Sequence, residues 1–296
     1  MFKSIADDFR YAWNRPNNGL QRIIIINVFV FVLINLTQLF GGESVGNFVL
    51  YNIILPTKFE QVILKPWTIV TSFYAHEGFG HIFWNMIFLY WFGKLIFEYL
   101  GNTKLINIYV LGGLAGSASV LILFNLIPRF AELSGGYALG ASAAVFAVST
   151  AAAALLPDYS FHLFFIGPVK IKYIVAVQVF LALIGLKGHT FAAEVAHLAG
   201  AFLGYIYIVQ MQKGRDLGGW LNSLGTFLKS FFVKQPNIKV SYKRQNAKKA
   251  SKKPVSKGQS SATQDEIDAI LDKINASGYE SLTKEEKQKL FNAGEN

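Results

Sequence analysis

Six apolar blocks alternate with polar and glycine-rich segments along the chain. A helix needs about 20 mostly apolar residues to cross a bilayer. The pattern predicts spans at about 23–40, 81–97, 105–126, 137–156, 171–186 and 191–209, of which the fifth is short. We therefore expect an all-α membrane protein with a bundle of six transmembrane helices. The first block shows no small-residue cleavage pattern, so we interpret it as a retained span, with a cleaved signal peptide as the alternative.

Two amphipathic stretches flank these blocks. Within residues 1–22, Phe2, Ile5, Phe9 and Trp13 follow helical spacing. Residues 217–233 place large apolar side chains on one helical face, namely Trp220, Leu221, Leu224, Leu228, Phe231 and Phe232. Both patterns predict helices that lie on the membrane surface. Residues 41–75 are too mixed for a span and predict a loop that rests at the interface.

The last 34 residues predict a small helical hairpin of the soluble type. Thr263 with Glu266 and Thr283 with Glu286 have capping-box spacing, and Gly278 and Gly294 stand where helices end. The hairpin is too small for an independent core. Its apolar face docks either on a partner or only on itself, and it comprises Ile267, Ile270, Leu271, Ile274, Leu282 and Leu290.

Composition supports a membrane protein. Hydrophobic residues make up 52% of the chain, charged residues only 16%, and the mean hydropathy is +0.35. These values are unusual for a soluble globule. The chain has no cysteine, which excludes disulfides, thiolate zinc sites, iron–sulfur ligation and a cysteine nucleophile.

The net charge of +10 is concentrated near the C-terminus, where residues 234–257 hold nine Lys or Arg. A basic segment beside a membrane span favours contact with anionic lipid head groups, and we expect no nucleic-acid partner. The Lys and Arg bias predicts that both termini are cytoplasmic. The expected organisation is a surface segment (1–22), a membrane domain (23–211), an interfacial helix (212–233), a basic disordered linker (234–262) and the hairpin (263–296).

Four polar residues fall at similar depth on three of the predicted spans. His81 and Asn85 lie at the start of the second span, Ser142 about one and a half turns into the fourth, and His197 about two turns into the sixth. Each residue alone is explained by helix packing or by the interface. Together they favour a functional site, because polar residues in membrane spans face the bundle interior and mark function.

This set predicts an intramembrane serine hydrolase. Ser142 would be the nucleophile and His197 the base and then the acid. His81 and Asn85, at i and i+4, and the Ser142 backbone N–H would stabilise an oxyanion. Glycines flank both partners at four-residue spacing and predict close helix contact, Gly136 and Gly140 before Ser142 and Gly200 and Gly204 after His197.

Two further polar residues, His76 and Glu194, lie close in sequence to members of this set. His76 and His81 resemble the zinc pattern of two histidines, but the spacing is one residue too long for one helical face, so we expect no metal. Glu194 precedes His197 by three residues and could orient it as a third member. We favour an interfacial carboxylate and leave Glu194 outside the site.

With these motifs, the chain resembles a rhomboid intramembrane serine protease over residues 22–210. The resemblance rests on His76-x4-His81-x3-Asn85, on Gly140-x-Ser142 and on Ala196-His197-x-x-Gly200-x3-Gly204. It implies Ser142 and His197 as the catalytic pair, His81 and Asn85 as the oxyanion group, and His76, Gly140 and Gly200 as supporting residues.

The resemblance also implies a six-helix fold with a water-filled cavity, single-pass transmembrane substrates that enter laterally near the fifth span, and no cofactor. With the charge pattern, it predicts a multi-pass protein of the bacterial cytoplasmic (inner) membrane. The hairpin is similar to an extension on rhomboids of Bacteroidetes-type bacteria, which implies no activity.

Two residues depart from the family pattern. Ala143 stands where glycine is favoured, which puts efficiency in doubt, and Thr68 stands where many members have arginine. The alternative hypothesis is a non-catalytic rhomboid-like protein that binds transmembrane helices. A transporter is disfavoured, because no span carries a mid-membrane pair of charged residues. The physiological substrate, the cleavage preference and the oligomeric state stay open.

Overall fold

The computed structural model describes residues 7, 10–131, 136–163, 165–187, 190–232 and 264–294. The helices are α1 (Gly19–Tyr51), α2 (Phe59–Leu64), α3 (Thr68–Thr71), α4 (Phe79–Leu126), α5 (Pro128–Ala131), α6 (Ser142–Leu155), α7 (Ile171–Gly185), α8 (Phe191–Gln212), α9 (Gly219–Phe232), α10 (Gln264–Ser277) and α11 (Lys284–Gly294). Two 3-10 turns occur at Ser72–Tyr74 and Tyr279–Ser281.

Two short antiparallel pairs of strands complete the described elements. β1 (Leu55–Pro56) pairs with β2 (Tyr137–Ala138), and β3 (Ser160–Leu163) pairs with β4 (Gly167–Lys170). The predicted linker 234–262 and Thr263 lie outside the described residues, and so do Phe2, Ile5 and Phe9 of the predicted surface helix. Residues 10–14 of that predicted helix are helical.

The helical membrane bundle is confirmed. α1, α4 and α8 are long and apolar enough to cross a membrane, and α6 and α7 are shorter apolar helices of 14 and 15 residues. α4 holds the predicted second and third spans. They meet at Gly101, whose φ of 80° and ψ of 174° break the helix. Glycine adopts a positive φ without the steric cost that a Cβ imposes.

α6 lies at the centre of the bundle and packs chiefly against α4 and α8. Five of its residues are fully buried, Ala147, Val148, Ser149, Ala151 and Ala152. Small side chains let neighbouring helices approach closely where lipid provides no hydrophobic driving force between them. This central helix begins at Ser142, so the packing of the bundle places that serine inside the molecule.

The predicted start of the fourth span is wrong. Tyr137 and Ala138 are extended and pair with Pro56 and Leu55, so the helix begins at Ser142 and not near residue 137. Hydropathy does not distinguish the two cases, because a short apolar strand and the start of an apolar helix have the same composition. Gly136 and Gly140 therefore precede α6 and do not form a packing strip on it.

The loop predicted at 41–75 is largely helical. α1 continues past a break at Gly42 to Tyr51, and α2, α3 and the 3-10 turn follow. The β3–β4 hairpin between α6 and α7 was not predicted. Near it, the Asp158 carboxylate accepts hydrogen bonds from Lys170 and Lys172 at 2.9 and 2.8 Å, and the bond from Lys172 contributes most to lowering the pKa of Asp158 to about 2.

Buried polar contacts tie the segments together. Asn27 Nδ2 of α1 donates to the Tyr109 hydroxyl of α4 at 3.1 Å, and that hydroxyl donates to the Phe73 carbonyl at 3.3 Å. Near the break at Gly101, Lys104 Nζ lies 2.6 Å from the Asp216 carboxylate. α9, which follows Asp216, is amphipathic as predicted.

The described C-terminal residues, 264–294, belong to a unit of their own. Thr283 and Glu286 form the predicted capping box, since the Thr283 N–H donates to the Glu286 carboxylate at 2.8 Å and the Glu286 N–H to Thr283 Oγ1 at 3.3 Å. Ile270 and Leu282 are buried. The Glu286 carboxylate also accepts from Lys273 at 3.0 Å, which joins α10 to α11.

Candidate active site

Ser142 is the first residue of α6 and not a residue inside a longer helix. The first intrahelical bond of α6 runs from the Val145 N–H to the Ala141 carbonyl at 2.8 Å. The N–H groups in the first turn of a helix have no intrahelical acceptor, and the helix dipole makes this end positive. The serine hydroxyl therefore lies beside backbone donors that can stabilise a negative charge.

His197 contacts Ser142 directly. The imidazole Nε2 lies 2.7 Å from Ser142 Oγ, although the two residues are 55 positions apart in the chain. This distance is in the range for a nucleophile and its base. His197 lies about two turns into α8, as predicted, and its side chain is 17% exposed.

The contact depends on a close approach of α6 and α8. A Cβ at Gly200 would lie 2.8 Å from the Ala143 carbonyl carbon, and one at Gly204 would lie 2.8 Å from that of Ala147. Helix axes usually lie about 8–10 Å apart, with side chains between them. The absence of side chains at these two glycines lets the helix backbones touch and brings the imidazole within reach of the hydroxyl.

His81 and Ser142 both lie close to Gly140. A Cβ at Gly140 would lie 3.0 Å from His81 Nε2 and 3.4 Å from Ser142 Oγ, so a glycine leaves room between the imidazole and the hydroxyl. Gly140 has a φ of 119°, which residues with a side chain rarely adopt. Its N–H donates to the Ser72 carbonyl at 2.9 Å, which fixes this turn to the first loop.

His76 supports the His81 ring. The two imidazoles meet edge to face with centroids 5.0 Å apart, and His76 is 2% exposed. Burial, and secondarily the neighbouring His81, lowers the pKa of His76 in the loop before α4 to about 4.

A cavity of about 330 Å³ opens at the serine. Its lining includes Ser142, His197, His81, Gly140, Glu194 and Glu77. Asn85 instead lines a neighbouring cavity that it shares with His81 and Gln178. Asn85 Nδ2 donates to the His81 carbonyl at 2.9 Å, so one amide hydrogen is used within its own helix. Of the predicted oxyanion group, His81 thus lies on both cavities and Asn85 on the second.

Two residues left out of the predicted site contact His197. Glu194 Oε2 lies 2.9 Å from the His197 Nδ1, so the carboxylate that was predicted to lie outside the site contacts the imidazole. The i, i+3 spacing was the available signal, because it places both side chains on one helical face. The Phe146 ring stacks on the imidazole with centroids 4.6 Å apart and planes 3° apart. Phe146 lies one turn after Ser142 on α6.

The Ala143 methyl group faces a glycine of α4. A Cβ at Gly116 would lie 2.5 Å from the Ala143 Cβ, so the side chain points towards Gly116. Thr68, the other departure from the family pattern, is buried and donates from its hydroxyl to the Lys65 carbonyl at 2.6 Å. Among the described residues, no three His, Cys, Asp or Glu side chains cluster as metal ligands do.

Comparison with known proteins gives two family matches. Residues 64–213, half of the chain, match the Rhomboid domain. This range includes every residue of the candidate site. Residues 259–292 match a family of unknown function, DUF6576, which covers the C-terminal hairpin. The similarity of the hairpin to a Bacteroidetes-type extension stays a prediction.

Curated relatives extend the similarity along the chain. RHOMBOID-like protein 12, mitochondrial, of Arabidopsis thaliana is 32% identical over 50% of this chain and 47% of its own length. Rhomboid protein 1, mitochondrial, of Saccharomyces cerevisiae is 29% identical over 72% of this chain and 61% of its own length. Rhomboid-like protein 11, chloroplastic, of Arabidopsis thaliana is 26% identical over 70% of this chain and 70% of its own length. The chain thus spans about half to three fifths of the first two relatives.

The names of these relatives correct one expectation. All three are named as mitochondrial or chloroplastic proteins. The prediction of a bacterial inner membrane is therefore contradicted by the organellar locations in the names of these relatives. A multi-pass membrane protein agrees with both the relatives and the fold.

Proposed function

The chain belongs to the rhomboid family, and from this premise we propose that it is an intramembrane serine endopeptidase with Ser142 as nucleophile and His197 as base. Family membership supports protease-like function within the membrane and transmembrane substrates in general. The observation that carries the finer proposal is the 2.7 Å contact between His197 Nε2 and Ser142 Oγ across two helices. A hydroxyl activated in this way is a nucleophile for acyl transfer.

The reaction begins when His197 Nε2 accepts the Ser142 hydroxyl proton as Oγ attacks the carbonyl carbon of the scissile peptide bond. The carbonyl oxygen becomes an oxyanion. The N–H groups at the start of α6 are donors for that charge, and the positive end of the helix dipole adds to them. His81 is the side-chain donor next to Gly140, with Asn85 beside it.

The imidazolium then donates its proton to the leaving amine, the C–N bond breaks, and an acyl-enzyme on Ser142 remains. A water molecule, deprotonated by His197, attacks the ester. The bond to Ser142 Oγ then breaks, His197 returns the proton to Oγ, and the carboxylic acid is released. The two peptide fragments together contain the atoms of the substrate and one water. The chain's own residues supply the nucleophile, the base and the oxyanion donors for both acylation and deacylation.

Water access to this chemistry follows from the length of α6. Its 14 residues span about 21 Å, less than the roughly 30 Å of a bilayer core. One end of α6 must therefore lie below the membrane surface or beside a thinned bilayer. Extended backbone precedes Ser142, and such backbone is stable at membrane depth only where protein or a water-filled cavity covers it. The cavity at Ser142 fits that requirement.

The test uses the full chain in liposomes with a single-pass model substrate. We expect cleavage by the unaltered protein and none by Ser142→Ala or His197→Ala. Ser149→Ala is the matched control, because Ser149 is buried on the same helix and its hydroxyl donates to the Val145 carbonyl at 2.8 Å. It should cleave normally. Substrate binding without cleavage by the unaltered chain would favour a helix-binding protein instead.

A further inference from the structure

We propose that Glu194 is a positioning residue that makes the Ser142–His197 pair a three-membered chain. This inference rests on the proposed function and names a residue beyond the serine and the histidine. Its basis is the 2.9 Å contact between Glu194 Oε2 and His197 Nδ1. Nδ1 and Nε2 lie on opposite sides of the imidazole, so Glu194 and Ser142 hold the same ring from two sides.

The reaction requires one particular tautomer of His197, and the contact with Glu194 favours it. His197 can accept the serine proton only if Nε2 is unprotonated, and in a neutral imidazole the hydrogen then lies on Nδ1. A carboxylate accepts that hydrogen and selects the required tautomer. It also stabilises the imidazolium that forms during attack. The Glu194 carboxylate therefore favours the state of His197 that the reaction needs.

The surroundings of Glu194 hold its carboxylate in place. The Thr190 hydroxyl donates to Oε1 at 3.3 Å, while Oε2 faces His197. On the other side, a Cβ at Gly185 would lie 2.8 Å from the Glu194 Cδ, so the end of α7 leaves room for the carboxyl group. The Glu194 and His197 side chains are each 17% exposed. Limited solvent strengthens a charged hydrogen bond.

A simpler role must be separated from this one. Glu194 lies in the first turn of α8, where a carboxylate stabilises a helix through the macrodipole. That role predicts a change in stability and no selective change in turnover. Positioning predicts the reverse: kcat falls while KM and the unfolding midpoint stay nearly constant, because the carboxylate touches the base and not the substrate.

The experiment compares Glu194→Gln with Glu60→Gln in the full chain. Glu60 lies in the first turn of α2 and outside the lining of the cavity, so its variant removes a carboxylate from the start of a helix away from the site. We expect Glu194→Gln to lower kcat and the rate of fluorophosphonate labelling roughly 10- to 100-fold, with KM within about twofold. Glu60→Gln should stay within about twofold of the unaltered protein in all three quantities.

A normal kcat in Glu194→Gln would overturn the proposal, and so would an equal fall in Glu60→Gln. If Glu194→Gln does not fold, Glu194→Asp replaces it. Its carboxylate is one methylene shorter, so we expect a smaller fall in kcat, and a normal value would overturn the proposal. An unaltered chain that neither cleaves nor labels would instead reject the proposed function, which separates the two failures.

Discussion

Gly200 of α8 lies against the backbone of Ala143 of α6, so close that a Cβ at position 200 would sit 2.8 Å from the Ala143 carbonyl carbon. Ala143 directly follows Ser142, and His197 lies three residues before Gly200. The spacing between these two backbones therefore determines the distance between the nucleophile and its base. A change of one methyl group at this contact tests that dependence.

We expect Gly200→Ala to separate the two helices, because backbone atoms cannot yield as a side chain can. The cost in stability is about 1–3 kcal/mol, and activity should fall at least tenfold. Gly225→Ala is the control, since a Cβ there meets nothing within 4 Å on α9. Unfolding midpoints and cleavage rates of both variants check the prediction, and normal turnover by Gly200→Ala would contradict it.

Both the backbone conformation at position 140 and the neighbouring His81 ring require a glycine there. An alanine there must adopt a φ of 119°, and its methyl group would lie 3.0 Å from the His81 imidazole. We expect Gly140→Ala to lower kcat more than it raises KM, because the oxyanion donor is displaced. Gly136→Ala is the control, as a Cβ there has open space. Equal activity of the two variants would argue against the assigned place of His81.

The absence of a side chain at Gly116 leaves room for the methyl group of Ala143, which follows the nucleophile. Gly116→Ala would bring two methyl groups within 2.5 Å of each other, so we expect lower stability and activity. Adding Ala143→Gly removes the second methyl group and should restore most of both. A double-mutant cycle measures the coupling, which we expect to be about 0.5–3 kcal/mol. Additive losses would show that the two residues do not share this space.

The pKa of His76 predicts how the free energy of unfolding depends on pH. Its pKa of about 4 lies below the ordinary value near 6.5, so the unfolded chain binds the proton first as pH falls. The stability due to neutral His76 is complete above pH 6.5 and decreases by about 2–4 kcal/mol towards pH 4. We expect His76→Gln to reduce this slope in chemical unfolding followed at several pH values. An unchanged slope would contradict the assignment.

Hydropathy was sufficient to predict the bundle but not the start of its central helix. The apolar run from 137 to 156 gave no sign that Tyr137 and Ala138 pair with β1, because that pairing joins residues about 80 positions apart. The polar residues Ser142, His81 and His197 nevertheless line one cavity, as their similar predicted depth indicated, because each lies within about two turns of the start of its helix.

Glu194 marks the limit of prediction from a single sequence. A carboxylate in the first turn of a helix is common for reasons unrelated to chemistry, so its spacing from His197 alone did not decide its role. The opening left by Gly185 on another helix depends on tertiary packing. Gly116 is similar, because the effect of Ala143 depends on which residue of α4 faces it.

The most direct test of the account is the site of covalent labelling by a fluorophosphonate. The unaltered chain in liposomes is labelled, digested and mapped by mass spectrometry. We expect one adduct, on the peptide that carries Ser142, and loss of that adduct in His197→Ala. An adduct on another serine, or equal labelling of Ser142 in His197→Ala, would contradict the proposal that these two residues form the catalytic pair.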